Sequence, residues 1–248
     1  MILNNADNIM FGTAEVSRVM CGSTKVWERS TPDTYREIEY IKSTGTQYIV
    51  TDIVPTFTDT AVMDVQPGSS YRVGDFGALF GVYSNDDTLG GSFSVMLDDT
   101  PFLAMYIGFI WDDYPSQFSS FGGRIPNATD QAVITLSRTR NSSYVRKSDG
   151  YTLSWDISSL PIVEPAIKQP LTILGAYYSY ESTNPNPTNR LSPYTLYSFK
   201  MYDSNNTLTH DLIPVERVRD GAAGLYDRVE NKFYGNAGTG EFVKGGYI

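Results

Sequence analysis

Three pairs of neighbouring carboxylates, Asp86-Asp87, Asp98-Asp99 and Asp112-Asp113, offer the hard oxygen ligands that Ca2+ requires. No EF-hand spacing orders them, and Asp residues in turns commonly bond their own backbone. No metal site or cofactor is therefore expected, with Ca2+ the one ion kept open. His210 sits between Thr209 and Asp211 and is the only histidine in the chain, so paired-His metal chemistry is absent. No activated Ser or Cys accompanies it, and it reads as a structural residue hydrogen-bonded to a neighbour. Glu37 and Glu39 share a parity, yet exposed polar alternation explains them better than the facing carboxylates that glycoside hydrolysis needs. No catalytic residue is assigned and no enzyme is expected. Aromatic side chains next to polar ones suit sugar recognition, because a ring stacks on an apolar sugar face while Asp or Ser bonds the hydroxyls. Trp111-Asp112-Asp113-Tyr114 and Tyr177-Tyr178-Ser179-Tyr180 have this composition. The candidate ligand-binding residues are Trp111, Asp112, Asp113, Tyr114 and Tyr180. The competing reading places such rings in a core.

The elements that must position these residues read as strands. From Tyr194 to Val243 the chain gives the clearest pattern: Leu196, Ser198, Lys200 and Tyr202 share one parity, and Tyr197, Phe199 and Met201 the other. Asp-Ser-Asn-Asn then turns the chain, so that a strand from Leu208 to Val215 can pair back. Pro214 donates no ladder hydrogen bond, which suits a strand end or edge. Further strands are expected at Thr60–Val65, Ala78–Tyr83, Ser92–Leu97, Phe102–Phe109, Ala132–Arg138, Ser143–Arg146, Tyr151–Asp156 and Leu171–Tyr178. Many short runs punctuated by Gly, Asn, Asp and Pro point to an antiparallel sandwich rather than βαβ units. Lys147-Ser148-Asp149-Gly150 is a hairpin turn, since Asp-Gly readily supplies positive φ. At most Ile162–Lys168 and Asp220–Gly224 would form a turn of helix. The Pro/Asn-rich stretch Glu181–Arg190 reads as a surface loop, a frequent place for recognition.

The same C-terminal residues carry a resemblance. Tyr-Ser-Phe-Lys-Met-Tyr-Asp, His-Asp-Leu-Ile-Pro-Val, Gly-Leu-Tyr-Asp and Phe-Tyr-Gly-Asn-Ala-Gly-Thr-Gly-Glu-Phe resemble the closing motifs of concanavalin A-like (LamG-like) jelly-roll domains of gut bacteria and their bacteriophages. Glu39-Tyr40-Ile41-Lys42-Ser43-Thr44-Gly45-Thr46-Gln47-Tyr48-Ile49 is similar to the opening of such domains. The resemblance brackets about residues 35–244 and implies an all-β, concanavalin A-like jelly-roll sandwich. The hydrolases it brings to mind carry Glu-x-Asp-x-x-Glu on one strand, and no such run occurs here.

Ahead of this domain, Met10-Phe11-Gly12-Thr13-Ala14-Glu15-Val16 aligns with Met20-Cys21-Gly22-Ser23-Thr24-Lys25-Val26, a repeat of ten residues. Each copy is a β run, a Gly turn and a second β run, so the segment reads as a small β meander. It is too short to bury a core alone, and Met10, Phe11, Val16, Val19, Val26 and Trp27 need a covering surface. Two readings stay open: docking on a partner chain, or packing on the neighbouring domain. The segment resembles the N-terminal leader of phage virion proteins, which implies docking on other virion proteins. The expected organisation is a docking segment at 1–29, a polar linker at 30–34 and the sandwich at 35–248.

The net charge of −9 leaves no basic patch for a phosphate backbone, so nucleic acid is not an expected partner. Cys21 has no partner for an intramolecular disulfide and reads as a small buried residue, consistent with assembly in a reducing cytoplasm. No secretory signal or bilayer-spanning apolar run is present, so membrane insertion is not expected and the sequons at Asn127, Asn141 and Asn205 read as coincidental. The resulting expectation is a non-catalytic tail or fibre protein in a bacteriophage virion, assembled in the host bacterial cytoplasm as a homo-oligomer. Its lectin-like domain would contact bacterial surface glycans. The alternatives are a structural capsid-decoration or tail protein with only protein partners and, behind that, a polysaccharide-degrading enzyme or a bacterial adhesin.

Overall fold

A computed structural model describes residues 9–11, 14–16, 18–21, 24–28, 34–68, 77–84, 91–97, 102–108, 118–125, 129–158, 167–179, 191 and 193–248. The chain divides into two compact units, Met1–Thr34 and Tyr35–Ile248. In the first, β1 (Ile9–Phe11) pairs with β2 (Ala14–Val16), and β3 (Arg18–Cys21) pairs with β4 (Thr24–Glu28). Each hairpin is centred on one copy of the repeat. Only one residue separates β2 from β3, too few for a hairpin turn, and no ladder joins them among the described residues. Among the described residues the segment is a pair of two-stranded hairpins. The side chains of Met10, Phe11, Val16, Val19, Val26 and Trp27 lie outside the described structure.

The second unit is an all-β sandwich. It opens with β5 (Tyr35–Glu37), β6 (Ile41–Lys42) and β7 (Ile49–Val50), followed by β8 (Thr60–Gln66), β9 (Gly77–Ser84), β10 (Ser92–Leu97) and β11 (Phe102–Gly108). Then come β12 (Phe118–Arg124), β13 (Ala132–Ser137), β14 (Ser142–Arg146) and β15 (Thr152–Trp155). Next are β16 (Thr172–Ile173), β17 (Tyr177–Ser179), β18 (Thr195–Tyr202) and β19 (Leu208–Arg217). The chain closes with β20 (Ala223–Asp227), β21 (Lys232–Gly235) and β22 (Val243–Lys244). One sheet runs β12-β11-β10-β9-β16-β7, with β17 parallel to β9. The other runs β15-β14-β13-β8-β18-β19-β20-β21, with β5, β6 and β22 attached along it. No helix occurs among the described residues.

Alternation builds the interface between the sheets. Ala61, Met63 and Val65 of β8 and Ala132, Ile134 and Leu136 of β13 point inward and are buried. Phe80 of β9 meets Phe199 of β18 edge-on at 5.1 Å, so aromatic rings join the two layers.

Three local details depart from simple alternation. A register shift between Leu196 and Ser198 against β8 reverses the parity of β18, burying Leu196 before it and Phe199 and Met201 after it. Pro214 lies inside β19, opposite Leu225, rather than at a strand end or edge. Its carbonyl accepts the Ile38 N–H on the side where the β18 ladder has stopped, so its missing donor breaks no bond to β20. The Leu171–Tyr178 run splits into β16 and β17 because Leu174 adopts a φ of 61°.

Candidate ligand cleft

A cleft of about 330 Å³ opens where the chain after β7 meets β19 and β21. It is lined by Asp52, Ile53, Val54, Asp59, Met201, Thr209, His210, Glu230, Lys232 and Tyr234. Its volume is in the range of small-ligand sites.

The first wall comes from an extended segment. The backbone of Thr51 and Ile53 bonds Leu171, prolonging the pairing of β7 with β16. Thr51, Ile53, Pro55 and Phe57 are buried and Asp52, Val54, Thr56 and Thr58 exposed, a period of two that turns Asp52 and Val54 outward. A turn then closes: Asp59 accepts the Thr56 N–H at 2.8 Å and donates its own N–H to the Thr56 carbonyl. The second wall is the β20–β21 hairpin, whose turn is made possible by Asn231 at a φ of 55°. Lys232 and Tyr234 are two residues apart on β21 and so share a face. The Tyr234 ring is buried in the core while its hydroxyl reaches Asp52, and the Lys232 ammonium bonds the other oxygen of Asp52. The hydrogen bond and charge of Lys232, then the Tyr234 hydroxyl, hold the Asp52 carboxyl down to about 2. Burial, reinforced by Asp52, pushes the Tyr234 phenol well above its ordinary value. Asp52 is therefore a fixed anion and Tyr234 a fixed neutral hydroxyl across the physiological range.

His210 contributes from β19. Its Nδ1 lies 2.6 Å from Asp227, a carboxylate with no solvent exposure. Asp227 also accepts the backbone N–H groups of Asp211 at 3.0 Å and Val229 at 2.9 Å. Burial alone would raise the Asp227 carboxyl, but these N–H donors and His210 outweigh it and hold it below its usual value. An ionised carboxylate only accepts, so the shared proton sits on Nδ1 and Asp227 fixes the orientation of the ring.

A second cleft of about 650 Å³ lies between the corner after β19 and the C-terminal loop. Its cations are already committed: Arg217 bonds Asp220 and lies 4.8 Å from the Phe233 ring centre, and Lys244 bonds Glu216. The first cleft sets an exposed apolar residue, Val54, beside its carboxylates.

Trp111, Asp112, Asp113, Tyr114 and Tyr180, chosen from sequence, lie outside the described residues, as do Asp86, Asp87, Asp98 and Asp99. No group of three or more potential metal-ligating side chains gathers among the described residues. His210 is hydrogen-bonded to a neighbour, and that neighbour is Asp227. Glu37 and Glu39 are both exposed. Asp52, Asp59, Glu230, Lys232 and Tyr234 were not selected, although the outward alternation of Asp52 and Val54 was a usable signal.

No family model and no curated protein matches the chain. Among solved structures it is similar to the full-length tailspike protein 2 from Escherichia coli O157:H7 bacteriophage CAB120. That likeness has 11% identity over 70% of this chain and a TM-score of 0.43. The chain spans 25% of that tailspike. It is also similar to the native heptameric SAP-like pentraxin from Limulus polyphemus, at 10% identity over 86% of this chain and 94% of the other, with a TM-score of 0.41.

Proposed function

We propose that residues 35–248 form a sugar-binding sandwich of the concanavalin A-like, jelly-roll kind, in a non-catalytic component of a bacteriophage virion. The observation that carries sugar binding is the pairing, at one cleft, of an outward apolar residue, Val54, with the exposed and permanently ionised Asp52. A pyranose has an apolar face and a hydroxyl rim, and such a lining matches both. Asp52, held ionised, is not suited to act as a general acid, which must hold a proton near its working pH. The virion placement, with the N-terminal segment docked on other virion proteins in a homo-oligomer, is supported by the resemblance of the leader and of the opening and closing motifs.

Full-length protein coated at high density on beads tests this reading, since multivalency reveals weak single-site affinity. The expected result is saturable retention of bacterial capsular or cell-wall polysaccharide, competed by free oligosaccharide and reduced at least about tenfold by Asp52→Ala. Retention lost with a chelator would reinstate a Ca2+ site. No retention of any polysaccharide, at densities where a known lectin binds, would replace this reading with a structural virion protein.

A further inference from the structure

The direction of the hydrogen bonds around the cleft narrows the class of sugar. Tyr234 gives its hydroxyl proton to Asp52, and Thr209 gives its own to the Met201 carbonyl at 3.2 Å. His210 gives the Nδ1 proton to Asp227. Tyr234 and Thr209 thus spend their hydroxyl protons inside the protein and present lone pairs to the cleft. Asp52, Asp59 and Glu230 add acceptors that carry charge, against the single ammonium of Lys232, which is bonded to Asp52. The lining is thus acceptor-dominated and formally anionic, with an apolar strip of Ile53, Val54 and Met201 beside it. A ligand complementary to it must donate hydrogen bonds, carry no negative charge and gain from positive charge. An acidic sugar would be repelled, and an acetamido group would replace an ammonium by a neutral amide with one N–H.

We infer, on the reading that this cleft takes sugars, that it selects a glycan carrying a free amino group over the N-acetylated or uronic acid counterpart. The ammonium sits among Asp52, Asp59 and Glu230, and the ring hydroxyls donate to Tyr234 and Thr209.

The test uses full-length protein on surfaces bearing three matched oligosaccharides: a glucosamine hexamer, an N-acetylglucosamine hexamer and an oligoglucuronate, at slightly acidic pH. The expected order is glucosamine at least about tenfold tighter than N-acetylglucosamine, with the oligoglucuronate not retained. Glu230→Gln and Asp59→Asn should each lower glucosamine affinity severalfold and shrink the preference. Glu241→Gln, a charge-matched change in the other cleft, should do neither. Equal or tighter retention of N-acetylglucosamine or glucuronate overturns the amine selectivity and leaves sugar binding standing. Equal losses from Glu241→Gln and Glu230→Gln overturn it too, because bulk charge would then explain the retention. Failure of all three sugars, together with failure of every bacterial polysaccharide, overturns the sugar-binding reading itself.

Discussion

The two sheets of the sandwich handle burial differently. In the larger sheet β8 alternates buried and half-buried residues, so Val62, Asp64 and Gln66 sit on a partly solvated outer face. In the smaller sheet every residue of β10 is buried, serines included, and Ala78, Met96 and Ala176 form a second apolar cluster with Tyr83 and Tyr106 against it. Tyr83 and Tyr106 meet edge-on at 5.0 Å. A sheet with one wet face can carry polar groups outward along its strands, whereas one covered on both faces has no such freedom. Most of the cleft belongs to the first kind of sheet: His210, Lys232 and Tyr234 stand on β19 and β21, and only the segment after β7 extends the other.

Mutations can break this contrast. Removing the ring that joins the layers should have the largest effect, and Phe199→Ala is expected to cost about 3–5 kcal/mol in denaturant unfolding. A loss under about 1 kcal/mol would mean that the sheets are not held through this contact. Met96→Ala, on the second face of β10, should cost about 2–5 kcal/mol, while Val62→Ala on the outer face of β8 should cost under about 1 kcal/mol. Equal costs would erase the distinction between the sheets.

Asp227 links the larger sheet to the cleft and sets an acid limit. Its folded pKa lies below the unfolded value of about 3.9, so its contribution is fully present above that pH and is lost as pH falls through the folded value. Asp149, bonded by Arg146, and Asp220, bonded by Arg217, are both held down to about 2 and act in the same direction. Thermal midpoints should therefore fall between about pH 4 and pH 2, more shallowly in Asp227→Asn than in the parent. An identical slope in the variant would remove Asp227 from the acid response.

A smaller effect of opposite sign is expected at Tyr144 of β14. Its hydroxyl is buried without a hydrogen-bond partner among the described residues, and burial pushes the phenol up to about 12. Tyr144→Phe should stabilise by about 1 kcal/mol at neutral pH. A destabilised variant would show that the hydroxyl is satisfied after all.

Sequence alone revealed most where alternation and turn chemistry agreed. Ser92–Leu97 is a strand at those bounds, and the Lys147–Gly150 turn closes β14 on β15 with Gly150 at a φ of 74°. β12 was invisible because Phe-Ser-Ser-Phe-Gly-Gly-Arg has no apolar period. Its Gly122 is there for close approach, since a Cβ would lie 2.0 Å from the Leu103 carbonyl oxygen. The bulge in β18 was equally hidden, because register depends on the partner strand. The cleft draws on residues 52–59, 201–210 and 230–234, and no local pattern announces that a turn, a strand and a hairpin converge.

The central claim is that this cleft holds the sugar, and the chain's single histidine gives an unambiguous probe of it. Imidazole 15N signals of the full-length protein, recorded at constant pH during addition of a retained oligosaccharide, should shift saturably with the sugar. Imidazole signals that stay fixed while the protein saturates with sugar would place the binding elsewhere and contradict the account.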